Sequence, residues 1–468
     1  MKMTSLVKKI PFLSISLSFG AGICSVLMYQ SLPFAQEASP VIDEEVIAEH
    51  ESAFSQPFWE DAAPQENPLG LNFFEITDIE QENAPQITEA TADQILSDFQ
   101  TRVNPEFKIP ELIFNQTKFW FRIYTEFDST KKVIHDALHP HIIFDVVDIS
   151  EILAQPTRAK WLNVAKAEKA VSARVHEIRN KLKKMSRKSK ENMDAEELGW
   201  LAQFEEIKGN QKKIILTSSD NLRIQTGQKD FFENGLTMSS RYLEGMEAIF
   251  RQKGLPTELT RLPFVESSFV IGATSKVGAA GIWQFMPGIG RKFMMINDQI
   301  DERRNPFKAT EAAAKLLKEN HLILHKNWGL ALTAYNHGPG GVRRAIQAIG
   351  TKDIAKIVRS YRSKNFDFAS ANFYTCFLAA LHAHAYRDLL WTDHVYEPTI
   401  LADSLRLRKS YKPRELVSAT GLTEEQLLKH NPELDRAFRK NYFIPKGYRL
   451  FLPTDTISSM QKLLAFKQ

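Results

Sequence analysis

The spacing of apolar residues predicts α-helices over most of the chain. From about residue 103 to 254, apolar side chains recur at helical spacing among many charges, as in WLNVAKAEKAVSARVHEIRNKLKK. ATEAAAKLLKENHLIL predicts a further helix that Thr310 is placed to cap, and ALTAYNHGPGGVRRAIQAIG predicts a helix, a glycine turn and another helix. FASANFYTCFLAALHAHAYRDLL predicts one more apolar helix. The pattern therefore indicates a mainly α fold.

The pattern changes near the C-terminus, where two predicted strands flank two predicted helices. LRLRKS and GYRLFLP predict the strands. PRELVSAT begins with Pro413, which suits a first helical turn, and Gly421 ends this helix. In TEEQLLKHN, Thr423 and Gln426 have the spacing of a capping box. We therefore predict a βααβ module over residues 397–455.

The N-terminal segment has the pattern of an export signal. Three lysines in MKMTSLVKK precede an uncharged run from Ile10 to Gln36. This run is close to the ~20 residues that span a bilayer, and the lysines on one side predict a cytoplasmic N-terminus with the rest outside. An uncleaved anchor, a cleaved signal and lipidation at Cys24 stay open. All three predict an exported protein of the periplasm or cell envelope, attached to the membrane where the segment is retained.

A long acidic segment follows the apolar run. No lysine or arginine occurs between Lys9 and Arg102, and the segment is rich in Pro, Gln and Ala. Such a composition repels itself and buries little apolar surface, so it predicts an extended tether. The predicted organisation is an anchor segment (1–36), a tether (37–101), a helical N-terminal region (102–254), a catalytic domain (255–392) and the βααβ module (397–455).

Composition excludes some classes of function. The 468 residues, 43% of them hydrophobic, are enough for a sizeable core and two or three domains. A net charge of +4 is no argument for a nucleic-acid partner. The two cysteines are too few for a disulfide framework, and no metal or nucleotide motif occurs, so we expect no cofactor. The basic run Lys181–Lys190 could touch anionic glycan or lipid, but a solvated helix face is the interpretation we favour.

One stretch, LPFVESSFVIGATSKVGAAGIWQFMP, carries a single carboxylate, Glu266, and no further acid occurs before Asp298. Its apolar neighbours would raise its pKa by desolvation, as a general acid near neutral pH requires. Gly278 and Gly281 would let backbone approach a ligand closely. The apolar side chains of WQFMP, namely Trp283, Phe285 and Met286, offer surface on which sugar rings stack.

The residues around Glu266 also allow a purely structural role. In that interpretation Glu266 caps a helix or pairs with Arg261 or Lys276. On composition alone this alternative stays open.

Four sequence blocks in one order distinguish the two roles. They are E-S-x-F, S-x-x-G-A-x-G-x-x-Q-x-M-P, D-x-R-x-x-P-x-x-A-T and A-Y-N-x-G, and they span about residues 255–345. This set resembles the lytic murein transglycosylases of the soluble-lytic-transglycosylase class, and is most similar to the membrane-bound type D branch. The resemblance implies a lysozyme-like, goose-type helical catalytic domain.

The resemblance also implies roles for individual residues. Glu266 corresponds to the family's catalytic acid. A later family tyrosine corresponds to Tyr374, in a stretch where this chain reads FASANFY and has Ser370 in place of glutamate. His337 replaces the usual small residue of A-Y-N-A-G, and we interpret it as a surface histidine without a catalytic role. The implied substrate-binding residues are Ser275, Gln284, Met286, Tyr335, Asn336 and Tyr374.

The implied activity is cleavage of the β-1,4 bond between N-acetylmuramic acid and N-acetylglucosamine in peptidoglycan strands. Ordinary glycosidases use two carboxylates. In this family a single acid protonates the glycosidic oxygen and then deprotonates the muramic C6 hydroxyl, which closes a 1,6-anhydro ring. A goose-type lysozyme-like hydrolase and a non-catalytic wall-binding protein are the alternatives. The C-terminal module resembles a divergent LysM-type glycan-binding module, and a domain that only packs on the catalytic body is the alternative there.

Overall fold

The computed structural model describes residues 89–456, and these are mainly helical, with 19 α-helices and five β-strands. The predicted mainly α fold class is therefore confirmed. The predicted anchor (1–36) and the predicted tether up to residue 88 lie outside the described residues. Within residues 89–456, no helix combines the length and the apolar character that crossing a membrane requires.

The elements fall into three stretches of the chain. The first is α1 (Glu89–Leu96), α2 (Phe114–Thr125), β1 (Lys131–Asp136), β2 (Ile143–Asp148), α3 (Ser150–Ala154), α4 (Lys160–Met185), α5 (Ala195–Glu205), α6 (Gln211–Asp220), β3 (Leu222–Thr226), α7 (Lys229–Ser240) and α8 (Leu243–Gln252). The second is α9 (Leu262–Ser267), α10 (Pro287–Gly290), α11 (Pro306–Ile323), α12 (Trp328–His337), α13 (Pro339–Ile349), α14 (Ile354–Ser360), α15 (Phe368–Ala385) and α16 (Arg387–Leu390). The third is β4 (Ala402–Arg406), α17 (Pro413–Thr420), α18 (Glu424–His430), α19 (Asp435–Lys440) and β5 (Arg449–Pro453).

A three-stranded antiparallel sheet lies within the region predicted to be helical. β1 is central, and its Val133 pairs with Val146 of β2 and Gln225 of β3. The strands are five or six residues long, and helices α3 to α6 separate β3 from β2 along the chain. The prediction of a helical region over 102–254 therefore missed this sheet, because short strands with distant partners give little periodic signal beside long helices.

The helices between β2 and β3 have their own hydrophobic core on one face of this sheet. Ile134 and Phe144 from the sheet pack with Ile178 and Leu182 of α4 and with Phe204 of α5. This cluster is separate from the main core of the described residues. The helices therefore form a distinct lobe of the N-terminal region.

The basic run Lys181–Lys190 lies at the end of α4 and continues beyond it. Lys181 Nζ lies 2.8 Å from a carboxylate oxygen of Asp194, and Lys188 Nζ lies 2.7 Å from one of Glu197. Both acids belong to the start of α5. Pairing within the lobe supports the interpretation of this run as a helix face, because paired lysines attract an external anion less strongly.

The N-terminal region and the predicted catalytic domain share one hydrophobic core. α2 packs along α15, where the side chains of Gln116 and Trp120 each donate a hydrogen bond of 2.8 Å to Asn372 Oδ1. Buried residues from both sides of residue 254, including Phe119 and Phe377, belong to this core. The predicted boundary at 254 therefore does not separate two independently packed bodies.

The last part of the predicted tether is folded. Ala92, Ile95 and Leu96 of α1 are buried in the main core. The hydroxyl of Tyr386 donates a 2.9 Å hydrogen bond to Asp98. The predicted end of the tether at residue 101 is therefore wrong, since the chain packs against the body from Ala92 onward.

The C-terminal module has the predicted strand, helix, helix, strand order, with the extra short helix α19 before β5. β4 and β5 are antiparallel, with Leu405 opposite Leu450. Gly421 ends α17 in the left-handed region (φ 67°), and Thr423 and Gln426 form the predicted capping box. Local sequence signals thus predicted these helix ends correctly.

The module docks on α11 of the body. Arg449 donates two hydrogen bonds, of 2.7 and 2.9 Å, to the carboxylate of Glu311, and the rings of Phe307 and Phe451 lie 5.5 Å apart. Ile300 of the body is buried within the module's own core. These contacts support the alternative in which the module packs on the catalytic body.

Candidate active site

Glu266 lies in the last turn of α9, a helix of only six residues. The helix ends because Ser268 (φ 48°) and Phe269 (φ 60°) both adopt the left-handed conformation, which non-glycine residues rarely adopt. Two such residues in succession form a strained turn, and strain of this kind concentrates at functional sites. Phe269 lies beyond the helix but is fully buried, so it contributes to the apolar surroundings as predicted.

The surroundings of Glu266 remove it from water and leave one of its carboxylate oxygens, Oε1, without a hydrogen-bond partner among the described residues. Its side chain is only 5% exposed, and burial raises its pKa from 4.5 to about 8. Among the described residues, Oε1 of Glu266 has no hydrogen-bond partner. No neighbouring carboxylate in the described part of the chain contributes to the pKa shift. The acid is therefore protonated at neutral pH because it is desolvated.

The predicted alternative of a pair with Arg261 does not occur. Arg261 donates instead to the carboxylate of Glu247, at 2.5 Å. Glu266 also does not lie at the N-terminus of a helix, where a carboxylate could cap backbone N–H groups. These observations disfavour the structural role that composition alone left open.

Tyr335 is close enough to Glu266 for the two groups to interact electrostatically. Burial raises the pKa of the Tyr335 hydroxyl well above its usual value, and the charge of Glu266 raises this pKa further. The hydroxyl donates a 2.8 Å hydrogen bond to the backbone oxygen of Trp283. Tyr335 thus connects α12 to the loop that follows Glu266.

That loop, residues 272–285, carries two of the predicted substrate-binding residues. Ser275 is half-buried, and its Oγ accepts a 3.0 Å hydrogen bond from the backbone N–H of Ala279. Gln284 is buried with a positive φ of 46°, and its Nε2 donates to the backbone oxygen of Gly281 at 2.9 Å. Both side chains therefore shape the loop.

Two arginines that the sequence did not single out hold this loop in place. Arg303 Nη1 donates to the backbone oxygens of Gly278 (2.7 Å) and Phe285 (2.9 Å). Arg304 donates to the backbone oxygen of Gly272 at 2.9 Å. Arg303 also pairs with Asp301 at 2.7 Å. The spacing of residues along the chain gave no signal for the contacts of Arg303 with the loop.

Trp283 and Phe285 do not offer a surface for sugar rings. They are 0% and 2% exposed, and the ring of Trp283 stacks on Phe250 with the two centroids 6.0 Å apart. The indole N–H donates to Thr310 Oγ1 at 2.9 Å. The prediction that these two rings offer a surface for sugar rings was therefore wrong. Met286, the third residue in that prediction, is half-buried rather than fully buried.

Thr310 also has a different role from the predicted one. It lies inside α11, where its hydroxyl donates to the backbone oxygen of Pro306. Asn305 caps this helix by accepting hydrogen bonds from the backbone N–H groups of Phe307 and Lys308. The helix begins earlier than predicted because Asn305 and Pro306 supply the preferred residue types for the cap and first turn.

Asn336, His337 and Ser370 form a buried polar chain. Ser370 Oγ donates to Asn336 Oδ1 at 3.1 Å, and His337 Nδ1 lies 3.1 Å from the same Oγ. His337 is 5% exposed, so its interpretation as a surface histidine was wrong. In the sequence, His337 and Ser370 each replace the residue that is usual in the family. Nothing in the sequence indicated that these two side chains are in contact.

Tyr374 lies on α15 and is 4% exposed. Its ring packs over Gly329 of α12, where a Cβ atom would lie 3.1 Å from the ring. Burial raises the pKa of its hydroxyl above the usual value. Tyr374 therefore joins α15 to α12, the helix that carries Tyr335 and Asn336.

Comparison with known proteins gives a family match for part of the chain. Residues 246–358 match the family described as "Transglycosylase SLT domain". The match covers the part of the chain that holds Glu266, the loop and Tyr335. Within residues 89–456, no cluster of three or more His, Cys, Asp or Glu side chains could hold a metal ion. The match includes the loop and α9 to α13, but not α2, Ser370 or Tyr374.

Three relatives were found among characterised sequences. The chain is 31% identical over 144 residues to "Membrane-bound lytic murein transglycosylase D" of Escherichia coli strain K12, and equally to the protein of that name from Escherichia coli O6:H1. Each alignment spans 30% of this chain and 32% of the relative. The chain is also 34% identical over 112 residues to a "Putative tributyltin chloride resistance protein" of an Alteromonas species, across 24% of this chain and 54% of that relative.

Proposed function

We propose that the protein is a peptidoglycan lytic transglycosylase. The observation that carries this proposal is the buried Glu266, whose Oε1 has no hydrogen-bond partner among the described residues and whose pKa of about 8 keeps it protonated at neutral pH. A carboxylic acid in that state can donate a proton to a glycosidic oxygen. The SLT domain and the names of the murein transglycosylase relatives support peptidoglycan as the substrate.

The proposed reaction needs only one acid. Glu266 donates its proton to the glycosidic oxygen while the bond from that oxygen to muramic C1 breaks. The C6 hydroxyl of the same muramic residue forms a new bond to C1 and returns its proton to Glu266. Atoms and charge balance without water, and the products are a free N-acetylglucosamine hydroxyl and a 1,6-anhydromuramic end. The absence of a neighbouring carboxylate from the causes of the raised pKa, within the described residues, supports this mechanism.

The other predicted site residues have supporting roles in the proposal. Positive charge develops on the sugar during bond breaking and requires oriented dipoles nearby. Asn336 and the tyrosine hydroxyls are the candidates for these dipoles. Ser275 and Gln284 act mainly through the loop that forms one wall of the site, and Met286 supplies the apolar contact.

Analysis of the products by mass spectrometry tests substrate and mechanism together. Purified murein digested by the full chain is expected to yield fragments with 1,6-anhydromuramic ends. A hydrolase of the goose type would instead give fragments heavier by one water, with free reducing ends. No release of fragments at all would favour a non-catalytic wall-binding protein and contradict the proposal.

For the C-terminal module, we propose that it braces the catalytic body. Its contacts with α11 support this role, and the LysM-like resemblance leaves glycan binding as a second property to test. Pull-down with insoluble murein tests glycan binding by the module. If the module only braces the body, substitutions of its exposed residues should leave the binding of murein unchanged. We also propose that the N-terminal segment exports the protein to the cell envelope, which fractionation of cells expressing the full chain would test.

A further inference from the structure

Ser267 follows the proposed acid Glu266, and its side chain reaches the loop 272–285. It is 1% exposed, and its Oγ donates a 3.0 Å hydrogen bond to the backbone oxygen of Ile282. The backbone oxygen of Pro263, one turn earlier in α9, lies 3.5 Å from the same Oγ. A serine hydroxyl has one proton, so the shorter contact takes it. This hydrogen bond therefore ties the last turn of α9 to the loop.

Helix α9 has few hydrogen bonds of its own to hold that turn. It spans six residues and includes Pro263, which has no backbone N–H. A helix this short leaves most of its backbone groups without a partner inside the helix. Beyond its end, the backbone N–H of Phe269 donates to the oxygen of Pro263 at 3.3 Å, and that of Val270 to the oxygen of Ser267 at 3.0 Å. The direction in which Glu266 projects therefore depends on contacts of α9 with its surroundings.

The loop is a firm support for this contact, because three of its backbone oxygens are each held by a side chain from a different segment. The donor and acceptor pairs are Ser267 with Ile282 (3.0 Å), Tyr335 with Trp283 (2.8 Å) and Arg303 with Phe285 (2.9 Å). The three acceptor residues are at most 2% exposed. Within this set, Ser267 alone comes from the helix that carries Glu266. Its hydrogen bond thus transmits the rigidity of the loop to the acid.

The loss of this hydrogen bond would change the surroundings of Glu266. A buried carbonyl oxygen that loses its donor costs free energy, and an entering water can replace the donor. Among the described residues, the titratable groups that interact electrostatically with Glu266 are the buried hydroxyls of Tyr124 and Tyr335, both with a raised pKa. Both hydroxyls are neutral, so solvation decides the charge of Glu266. Water beside Ile282 would therefore favour the carboxylate.

We propose that Ser267 is a positioning residue, whose hydrogen bond to Ile282 holds the last turn of α9 against the loop, fixes the direction of the Glu266 carboxyl and keeps water from it. Ser267 touches no reacting atom and acts through Glu266. Its relevance to catalysis rests on the proposed function. Its effect on the Glu266 carboxyl does not, and can be measured without any assay of activity.

The first test is a titration of Glu266 by ¹³C NMR, in the full chain labelled at the carboxyl carbon of glutamate. The resonance is identified by its loss in Glu266→Gln. In wild type the midpoint is expected at about 8. In Ser267→Ala the midpoint should fall by about one pH unit or more, because water that enters beside the carboxyl favours its charged form.

The second test is the initial rate of murein solubilisation at about pH 6, where Glu266 is protonated in both proteins. At saturating murein, Ser267→Ala should be about tenfold slower than wild type, the effect of losing one orienting hydrogen bond. The murein concentration that gives half of the maximal rate should change less than about twofold, because the acid acts in the chemical step. The decline of the rate on the alkaline side should begin at lower pH than in wild type.

A buried serine far from the acid provides the matched control. Ser219 on α6 is fully buried, and its hydroxyl donates to the backbone oxygen of Leu216 at 2.7 Å. Ser219→Ala loses a comparable hydrogen bond in the separate lobe. It should lower thermal stability and leave both the rate and the midpoint of Glu266 unchanged.

Ser267→Cys serves as a second variant, because a thiol is close to the hydroxyl in size but is a weak donor. It should show the same two changes to a smaller extent, and it replaces Ser267→Ala if that variant does not fold. A Glu266 midpoint that stays at its wild-type value in these variants would overturn the positioning role, and so would an equal loss of rate in Ser219→Ala. If wild-type protein releases no glycan fragments, the proposed function fails, and the titration still decides on Ser267.

Discussion

Two buried glutamates of this chain, Glu266 and Glu433, have opposite surroundings. Glu433 is 2% exposed and accepts hydrogen bonds from Lys308 Nζ (2.8 Å), Asn305 Nδ2 (2.9 Å) and the Tyr448 hydroxyl (2.5 Å). Glu266 is 5% exposed, and among the described residues its Oε1 accepts none. Burial alone therefore does not distinguish a structural acid from a reactive one. The presence or absence of donors does, because donors stabilise the charged form and desolvation alone favours the neutral one.

Two of the partners of Glu433, Asn305 and Lys308, come from the same sequence block that holds the loop beside Glu266. Asn305 and Lys308 contact the C-terminal module, whereas Arg303 and Arg304 donate to backbone oxygens of the loop. One short segment thus fixes the module on one side and the site on the other. The hydrogen-bond donors of this segment contact the module or the loop. Among the described residues, none of them donates to Oε1 of Glu266.

The strongest test of this comparison is the removal of each acid's charge in turn. Glu266→Gln should reduce lysis of murein by about 10²-fold to 10⁴-fold, the typical contribution of a general acid. The folded fraction of the Glu433→Gln variant should retain most of the wild-type activity. Turbidity clearing of murein suspensions measures both, and circular dichroism checks the folded fraction. Substantial lysis by the Glu266→Gln variant would remove Glu266 from the proposed mechanism.

Glu266 should also make the stability of the protein depend on pH. Glu266 has a folded-state pKa of about 8, above the 4.5 of an ordinary glutamate, so the folded protein holds a proton that the unfolded chain releases. Stability from this group is complete below pH 4.5 and declines as pH rises to about 8. At about 1.4 kcal/mol per pKa unit, the decline reaches roughly 5 kcal/mol.

Glu266→Gln cannot ionise, so it should abolish this decline. The variant should match wild type in thermal stability near pH 4 and exceed it at pH 8, as measured by calorimetry at several pH values. The same ionisation should reduce the activity of wild type as pH rises through about 8, because the acid is then deprotonated. Equal pH profiles of stability for the two proteins would mean that Glu266 is not held neutral by burial.

Glu433 should show the behaviour of a structural acid. Glu433→Ala removes the carboxylate that accepts from Asn305, from the Tyr448 hydroxyl and from the buried Lys308 ammonium, which keeps Glu302 at 2.9 Å. This loss should lower the free energy of unfolding by about 3–5 kcal/mol. Urea denaturation measures this loss. Glu425→Ala, at an exposed position of α18, is the control and should change stability by less than about 0.5 kcal/mol. A similar small effect for both variants would show that the module does not depend on this buried network.

The sequence predicted the features that depend on neighbours along the chain. The mainly α fold class, the helix, glycine turn and helix around Gly338, and the caps of α17 and α18 all follow from residues within one or two turns. The candidate acid was also found from its apolar neighbours and the order of the blocks. Its raised pKa depends on burial, and the apolar residues beside it already indicated that.

Features that depend on distant contacts could not be predicted. The sheet joins β3 to a strand far earlier in the chain, and the hydrogen bonds of Arg303 with the loop cross a turn whose shape no motif gives. The two rings of Trp283 and Phe285 have the composition of a sugar surface, but packing places them in the core. Which face of a short loop is buried depends on α8 and α11, which cover it, and not on the loop's own sequence.

The smallest test concerns the loop that lies between Glu266 and the block that binds Glu433. Gly281 has a φ of 77°, and an added Cβ atom would lie 1.8 Å from the backbone oxygen of Arg303. Gly278 has a similar φ of 89°, but an added Cβ atom would meet nothing within 4 Å. Gly281→Ala should therefore destabilise the protein by about 2–4 kcal/mol, whereas Gly278→Ala should cost about 1 kcal/mol from backbone strain alone. Urea denaturation of both variants separates the effect of the close approach to Arg303 from the effect of backbone strain. Equal losses of stability in the two variants would mean that this close approach does not hold the loop against the block that contains Arg303.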